Sequence, residues 1–310
     1  MISFTVLGGY LGAGKTTLVN QILRNNNTSV DKVQRIALLV NDFGDINIDA
    51  QLIESQTETQ INLANGCICC TLNDGFSDAL DKLIALDPQP DHIIVEASGV
   101  ADVNNLSQYG NGKELSLASV IVVADADSVQ DKASDKYVAR TIQRQLKTAD
   151  LILLNKVDLL TEDRRRALMK WLADLTEDVP IVPCVNCDVP IDVILNLDPR
   201  SAQADACVHE HEHYDSWAYC FSGSATRTAL ELFAEEIGPE VLRLKGLFAA
   251  EGGGTFSLQI VGKRKEIKML ESRERSDCQL VAIGLRDDFV PDILDALAAK
   301  LFGSSVDLRH

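Results

Sequence analysis

Positive charge is scarce in this 310-residue chain: 29 Lys and Arg stand against 46 Asp and Glu, a formal net charge of −17 at pH 7. That balance disfavours a broad contact with a nucleic-acid backbone or an anionic membrane surface. It leaves room for a pocket holding one polyphosphate, because such a pocket needs only backbone N–H groups, one lysine and a metal ion. No run of about 18 apolar residues is present, so no membrane span is expected. The start, MISFTVLGG, has neither a basic segment nor a cleavage site, so no secretory signal is expected and the expected location is the cytoplasm. No internal repeat or low-complexity segment is visible. Cysteine is sparse too, with eight in the chain. That excludes a small disulfide scaffold and makes a tight thiol cluster a candidate for metal binding or redox work.

The residues that are there balance 46% hydrophobic against 24% charged, as in a globular protein with a sizeable core. Over the first two thirds, apolar runs alternate with helical patterns. ISFTVLGG, RIALLVN, HIIVEASG, SVIVVAD, LILLNKVD and PIVPCVN read as strands. KTTLVNQILRN, GFSDALDKLIAL, ASDKYVARTIQRQLKTA and DRRRALMKWLADL read as helices. Continuous Val/Ile/Leu runs suit strands covered on both faces, hence a mostly parallel α/β sheet. A polar linker is expected over 199–214. It separates residues 1–198 from a small, mostly antiparallel α+β domain over 215–310.

GGYLGAGKTT fits G-x-x-x-x-G-K-[ST] between a strand and a helix. Gly9, Gly12 and Gly14 let the backbone curl its N–H groups, with Ala13 among the residues of the cradle, toward phosphate oxygens, and the helix N-terminus adds partial positive charge. Lys15 reaches the β- and γ-phosphates, the Thr16 hydroxyl ligates Mg²⁺, and Thr17 completes the cradle. NKVD closes another strand, where nucleotide sites of this architecture lie. A carboxylate accepts two parallel hydrogen bonds. Guanine offers a matching donor pair, so Asp158 selects GTP, with Asn155 bracing the base and Lys156 packing along it. Glu96 ends HIIVEASG, where a carboxylate supports Mg²⁺ or positions water. Gly99 is placed to approach the γ-phosphate, while His92 reads as structural. NDFGDINID supplies Asp42, Asp45 and Asp49 as metal candidates, each also readable as a solvated loop carboxylate.

NGCICC puts Cys67, Cys69 and Cys70 into four positions. Thiolates suit Zn²⁺, Co²⁺ or Cu(I) far better than Mg²⁺. One such segment gives at most three ligands, so the shell is shared with Asp42, a histidine, water or a partner. An incomplete shell suits passing a metal on. In HEHEH, alternation puts His209, His211 and His213 on one face of an extended segment, a candidate for transient metal capture as well as a plain polar linker. Cys207 lies near it. Cys220 and Cys278 fall in apolar strand patterns and read as core.

Taken together and in order, GGYLGAGKTT, NDFGDINID, NGCICC, IIVEASG and NKVD resemble the CobW-like GTPases, a metallochaperone branch of the SIMIBI-class P-loop GTPases. RLKGLF, from Arg243, resembles their C-terminal domain. The resemblance implies slow, metal-stimulated GTP hydrolysis, for which Lys15, Glu96 and Asp42 are the candidate catalytic groups. It also implies GTP and Mg²⁺ as cofactors, Zn²⁺ or Co²⁺ as the transition metal, and delivery to a client metalloprotein. A nucleotide-dependent homodimer is compatible with it. Three departures stand out. Tyr10 replaces the usual Phe, and Asp42 replaces the usual Glu. In PCVNC, Cys184 and Cys187 flank the Val185–Asn186 pair expected to contact guanine. Those two cysteines read as incidental, with a redox or metal pair as the alternative. A switch or scaffold for metalloenzyme maturation, and a thiol redox protein, stay open as other functions.

Overall fold

The computed structural model describes residues 1–28, 35–41, 60–63, 75–112, 114–177, 179–195, 214–270 and 277–303. The chain divides into two compact units, Met1–Ile194 and Leu195–His310.

In the first unit the strands are β1 (Ile2–Gly8), β2 (Ile36–Asn41), β3 (Gln60–Leu63), β4 (His92–Glu96), β5 (Leu115–Asp125), β6 (Leu151–Asn155) and β7 (Ile181–Cys184). They form one sheet in the order β3-β2-β4-β1-β5-β6-β7, and every pairing is parallel. Every residue of β4 and β6 is buried, as a strand covered on both faces requires. The helices are α1 (Lys15–Thr28), α2 (Gly75–Ile84), α3 (Val103–Ser107), α4 (Val129–Lys132), α5 (Ala139–Thr148), α6 (Glu162–Thr176) and α7 (Ile191–Ile194). Phe4, Val6, Ile93, Val95 and Leu39 pack with Phe76, Leu80 and Leu83 of α2 in one core cluster. Ile152 and Leu154 pack with Leu146 of α5 and Leu168 and Leu172 of α6 in another.

Some sequence readings of this unit change. Residues 133–138, expected to be helical, form turns, and α5 begins at Ala139. The Asp135 carboxylate accepts from the backbone N–H groups of Tyr137 at 2.8 Å and Val138 at 3.1 Å, a local bond that competes with helix. The short edge strand β3 was not expected at all. His92, read as structural, is fully buried, and its Nε2 lies 2.9 Å from the Thr5 hydroxyl.

The second unit is a five-stranded sheet, β11-β10-β9-β12-β8, with all of its strand pairings antiparallel. Its elements are β8 (Tyr214–Ser222), α8 (Arg227–Glu236), β9 (Val241–Ala249), β10 (Thr255–Val261), β11 (Arg264–Leu270), β12 (Asp277–Leu285) and α9 (Pro291–Phe302). Tyr214, expected to end the linker, opens β8; the rest of the linker lies outside the described residues. Period-two alternation sends Trp217, Tyr219 and Phe221 to the face where Phe233 of α8 and Leu294 of α9 complete the core. The Thr226 hydroxyl caps α8 by accepting from Ala229 N–H at 3.1 Å. Cys278 is fully buried in this core, and Cys220 is half-buried. Among the described residues, no helix is long and apolar enough to cross a membrane.

Candidate functional site

A parallel sheet puts the carboxyl ends of all its strands on one edge, where ligands of open α/β sheets bind. Here that edge carries Gly8 at the end of β1, Glu96 on β4, Asp125 on β5, Asn155 on β6 and Cys184 on β7. Register aligns them: Leu7 pairs with Glu96, Asp125 with Asn155, and Asn155 with Cys184.

After β1 the chain turns through Gly9, Gly12 and Gly14, all at positive φ (132°, 78° and 114°). At Gly9 any Cβ would overlap the Val123 carbonyl, so glycine is required for space as well as conformation. The turn leads directly into α1, whose first turn carries no acidic residue to compete with an anion. Lys15 is buried and Thr16 half-buried. The Thr16 hydroxyl donates to Glu96 Oε1 at 3.2 Å, and Glu96 is buried at 2% exposure. Two residues 80 positions apart thus present hard oxygen donors side by side, the donor chemistry Mg²⁺ prefers. Next to Glu96, Gly99 packs so tightly on the P-loop that an added Cβ would lie 2.8 Å from Leu11 N. The buried Gln145 amide of α5 holds this segment by donating to the carbonyls of Ala101 at 2.9 Å and Gly99 at 3.4 Å.

On the other side of β1 the NKVD residues divide their work. Asn155 is buried; its Nδ2 donates to the Ala13 carbonyl at 3.0 Å, and its Oδ1 accepts from Cys187 N–H at 3.0 Å. Lys156 adopts a left-handed conformation, φ 64° and ψ 34°, and its Nζ lies 2.8 Å from Asp125 Oδ2. Asp158 is exposed. After β7, Val185 and Asn186 are exposed while Cys187 is fully buried. Asn186 and Cys187 both have positive φ, 53° and 55°. The Cys187 thiol donates to the Gly14 carbonyl at 3.3 Å. Gly9, Gly12, Ala13, Gly14, Lys15, Thr16, Glu96, Gly99, Asn155, Lys156, Asp158, Val185 and Asn186 therefore gather at one edge of one sheet. Thr17, in the first turn of α1, is exposed.

Asp42, Cys67, Cys69, Cys70, His209, His211 and His213 lie outside the described residues, as do Asp45, Asp49 and Cys207. Among the described residues no group of three or more His, Cys, Asp or Glu side chains is placed to hold a metal. Sequence reasoning passed over Asp125, Gln145 and the contact of Cys187 with Gly14. Asp125 had a signal: it is a carboxylate closing an apolar strand, as Glu96 does.

Cys184 is buried, and its thiol lies 3.9 Å from Asn155 Oδ1. A hydrogen bond with Cys187, and then burial, push its pKa well above the ordinary 9.0. The folded state thus prefers the neutral thiol, whereas the unfolded chain ionises near 9.0. Stability is retained below that pH and lost above it, by about 1.4 kcal/mol per pH unit for one thiol. Between pH 8 and 10, urea unfolding of the unaltered chain should lose about 1.4 kcal/mol more than that of Cys184→Ala. Equal losses would remove Cys184 from the alkaline transition.

A glycine turn between a strand and a helix N-terminus, at the carboxyl edge of a parallel sheet, defines a P-loop nucleotide-binding domain. Residues 3–183 match the family model described as "CobW/HypB/UreG, nucleotide-binding domain", and residues 214–300 match "Cobalamin synthesis protein cobW C-terminal domain". The chain belongs to the CobW/HypB/UreG family. A "Zinc chaperone CobW" from Sinorhizobium sp is 30% identical, over 92% of this chain and 93% of that protein. Another of that description, from Pseudomonas aeruginosa, is 31% identical over 90% and 86%. A "Zinc chaperone YjiA" from Escherichia coli is 32% identical over 64% and 62%.

Proposed function

We propose that the chain is a GTP-hydrolysing zinc metallochaperone. The observation that carries this is the convergence, at one sheet edge, of the P-loop, the Thr16–Glu96 oxygen pair and the NKVD turn. The names of the relatives, similar over almost the whole chain, supply the cargo. Gly9 to Gly14 and the N-terminus of α1 bind the phosphates, and Lys15 neutralises the β- and γ-oxygens. Thr16 and Glu96 would hold Mg²⁺, which when bound draws charge from the phosphates. Asp158 reads guanine, with Lys156 held in place by Asp125 and the Val185–Asn186 loop flanking the base. Glu96 and Asp42 are the carboxylates available to orient the hydrolytic water.

The cargo ion is a substrate, and Cys67, Cys69 and Cys70 with Asp42 are its donors. Zn²⁺ comes first and Co²⁺ second, since thiolates suit both. His209, His211 and His213 capture the ion transiently, and a client metalloprotein receives it. The nucleotide state, in a monomer or a nucleotide-dependent homodimer, sets the geometry of the thiols. Linkage then requires zinc and nucleotide to favour one another's state by the same factor. Titrating Zn²⁺ into the GTP-analogue and GDP forms should give affinities differing by at least about fivefold. The difference should vanish in the Cys67→Ser, Cys69→Ser, Cys70→Ser triple variant. Equal zinc affinity in the two forms of the unaltered chain would end the coupled-delivery idea.

A further inference from the structure

We infer that Cys187 is a positioning residue for nucleotide binding, its thiol fixing the orientation of the phosphate cradle from behind. Three hydrogen bonds link the loop after β7 to the P-loop, one directly and two in series through Asn155 of β6. Asn155 Nδ2 donates to Ala13 O at 3.0 Å. Cys187 N–H donates to Asn155 Oδ1 at 3.0 Å, and Cys187 Sγ donates to Gly14 O at 3.3 Å. They hold consecutive carbonyls, those of Ala13 and Gly14. In a trans peptide the carbonyl of one residue and the N–H of the next point in opposite directions. Holding Ala13 O and Gly14 O back against Asn155 and Cys187 therefore turns the N–H groups of Gly14 and Lys15 the other way, toward the phosphate side. A cradle set in advance spares the bound anion the cost of ordering it.

The Gly14 carbonyl also accepts from Leu18 N–H at 2.9 Å, the first bond of α1. A carbonyl has two lone pairs, so the thiol takes the second. Space is as tight as the bonding: a Cβ on Gly14 would lie 3.1 Å from Cys187 Sγ. Cys187 is fully buried and sits at φ 55°, a conformation that L-residues other than Asn and Asp adopt at a cost. Cysteine is thus held there against its backbone preference while its thiol meets a carbonyl 173 positions away.

That backbone strain makes the test clean, given the nucleotide-binding assignment above. Cys187→Gly removes the thiol, keeps the N–H that bonds Asn155 and suits the positive φ, so folding is retained. Cys187→Ser keeps a hydroxyl donor. Calorimetric titration of the full chain with GDP should show affinity falling about five- to tenfold in Cys187→Gly, the scale of one lost hydrogen bond. Its thermal midpoint should hold or rise, and Cys187→Ser should return the affinity to within about twofold. A purely structural role would make affinity follow stability. GDP binding by Cys187→Gly within twofold of the unaltered chain would overturn the inference, and so would a serine variant as weak as the glycine one. Failure of the unaltered chain to bind GDP would instead overturn the guanine assignment beneath it.

Discussion

Gly14→Ala is expected to abolish nucleotide binding and to destabilise the first unit. Gly14 sits at φ +114°, where an L side chain is strained. An ideal Cβ there would lie 2.5 Å from Asn155 Nδ2. Asn155 is 2% exposed, and both ends of its amide are engaged, by Ala13 O and by Cys187 N–H. Cys187, the next atom in the way, is fully buried. Alanine must therefore distort the P-loop backbone or push Asn155 off its partners, and either outcome turns the cradle away from a phosphate. Backbone strain of about 1–3 kcal/mol adds to a broken buried hydrogen-bond network, giving a stability loss of about 2–4 kcal/mol. GDP affinity should fall at least about a hundredfold, equivalent to about 2.8 kcal/mol of binding energy. Gly12 is the internal comparison: it too has positive φ, but a Cβ there meets nothing within 4 Å. Gly12→Ala should cost only its backbone term. Titration calorimetry and thermal melts of the two variants measure both effects, and equal losses at the two positions would show that contact with Asn155 and Cys187 is irrelevant.

The same comparison shows what a sequence can and cannot carry. The P-loop was legible because its parts are covalent neighbours: glycines, lysine and threonine at fixed spacing between an apolar run and a helical one. The parallel sheet was legible from unbroken Val/Ile/Leu runs, and the second unit from short strands with turn residues between them. The edge strand β3 was not, because Gln60–Leu63 is four residues long with polar positions alternating, and among the described residues it pairs with β2 alone. The start of α5 was misplaced by six residues because the Asp135 side chain, not apolar periodicity, decides where the helix begins. Cys187 was read as incidental for a deeper reason. Nothing within ten residues of it reveals that its thiol will meet Gly14, since that contact exists only after β1, β5, β6 and β7 have assembled in order. Lys156 shows the same limit. NKVD makes it a candidate for the nucleotide site, but its ion pair with Asp125 follows from β5 and β6 being neighbours.

Asp158→Asn should exchange guanine for xanthine selectivity without unfolding the protein. Asp158 is exposed, so its replacement should change stability by no more than about 0.5 kcal/mol. It lies in a short turn, Val157–Leu159, entered through the left-handed Lys156, and the Lys156–Asp125 pair at 2.8 Å holds that entry in place. A carboxylate is an acceptor only, and suits a base edge that presents two donors, the N1–H and 2-amino group of guanine. An asparagine amide presents one acceptor and one donor group. That pair clashes with the 2-amino group but matches xanthine, which carries N1–H beside a carbonyl. Hydrogen bonds to a charged group contribute about 1.5–3 kcal/mol, so losing one and opposing another should weaken GTP about a hundredfold. XTP should gain by a similar factor. Hydrolysis rates of the unaltered chain and the variant with GTP and XTP, at subsaturating nucleotide, report the exchange directly. Unchanged GTP preference in the variant would remove Asp158 from base recognition. The roles proposed for the P-loop and the Thr16–Glu96 pair would be untouched by that result, because they concern the phosphates and their Mg²⁺, which all nucleoside triphosphates share.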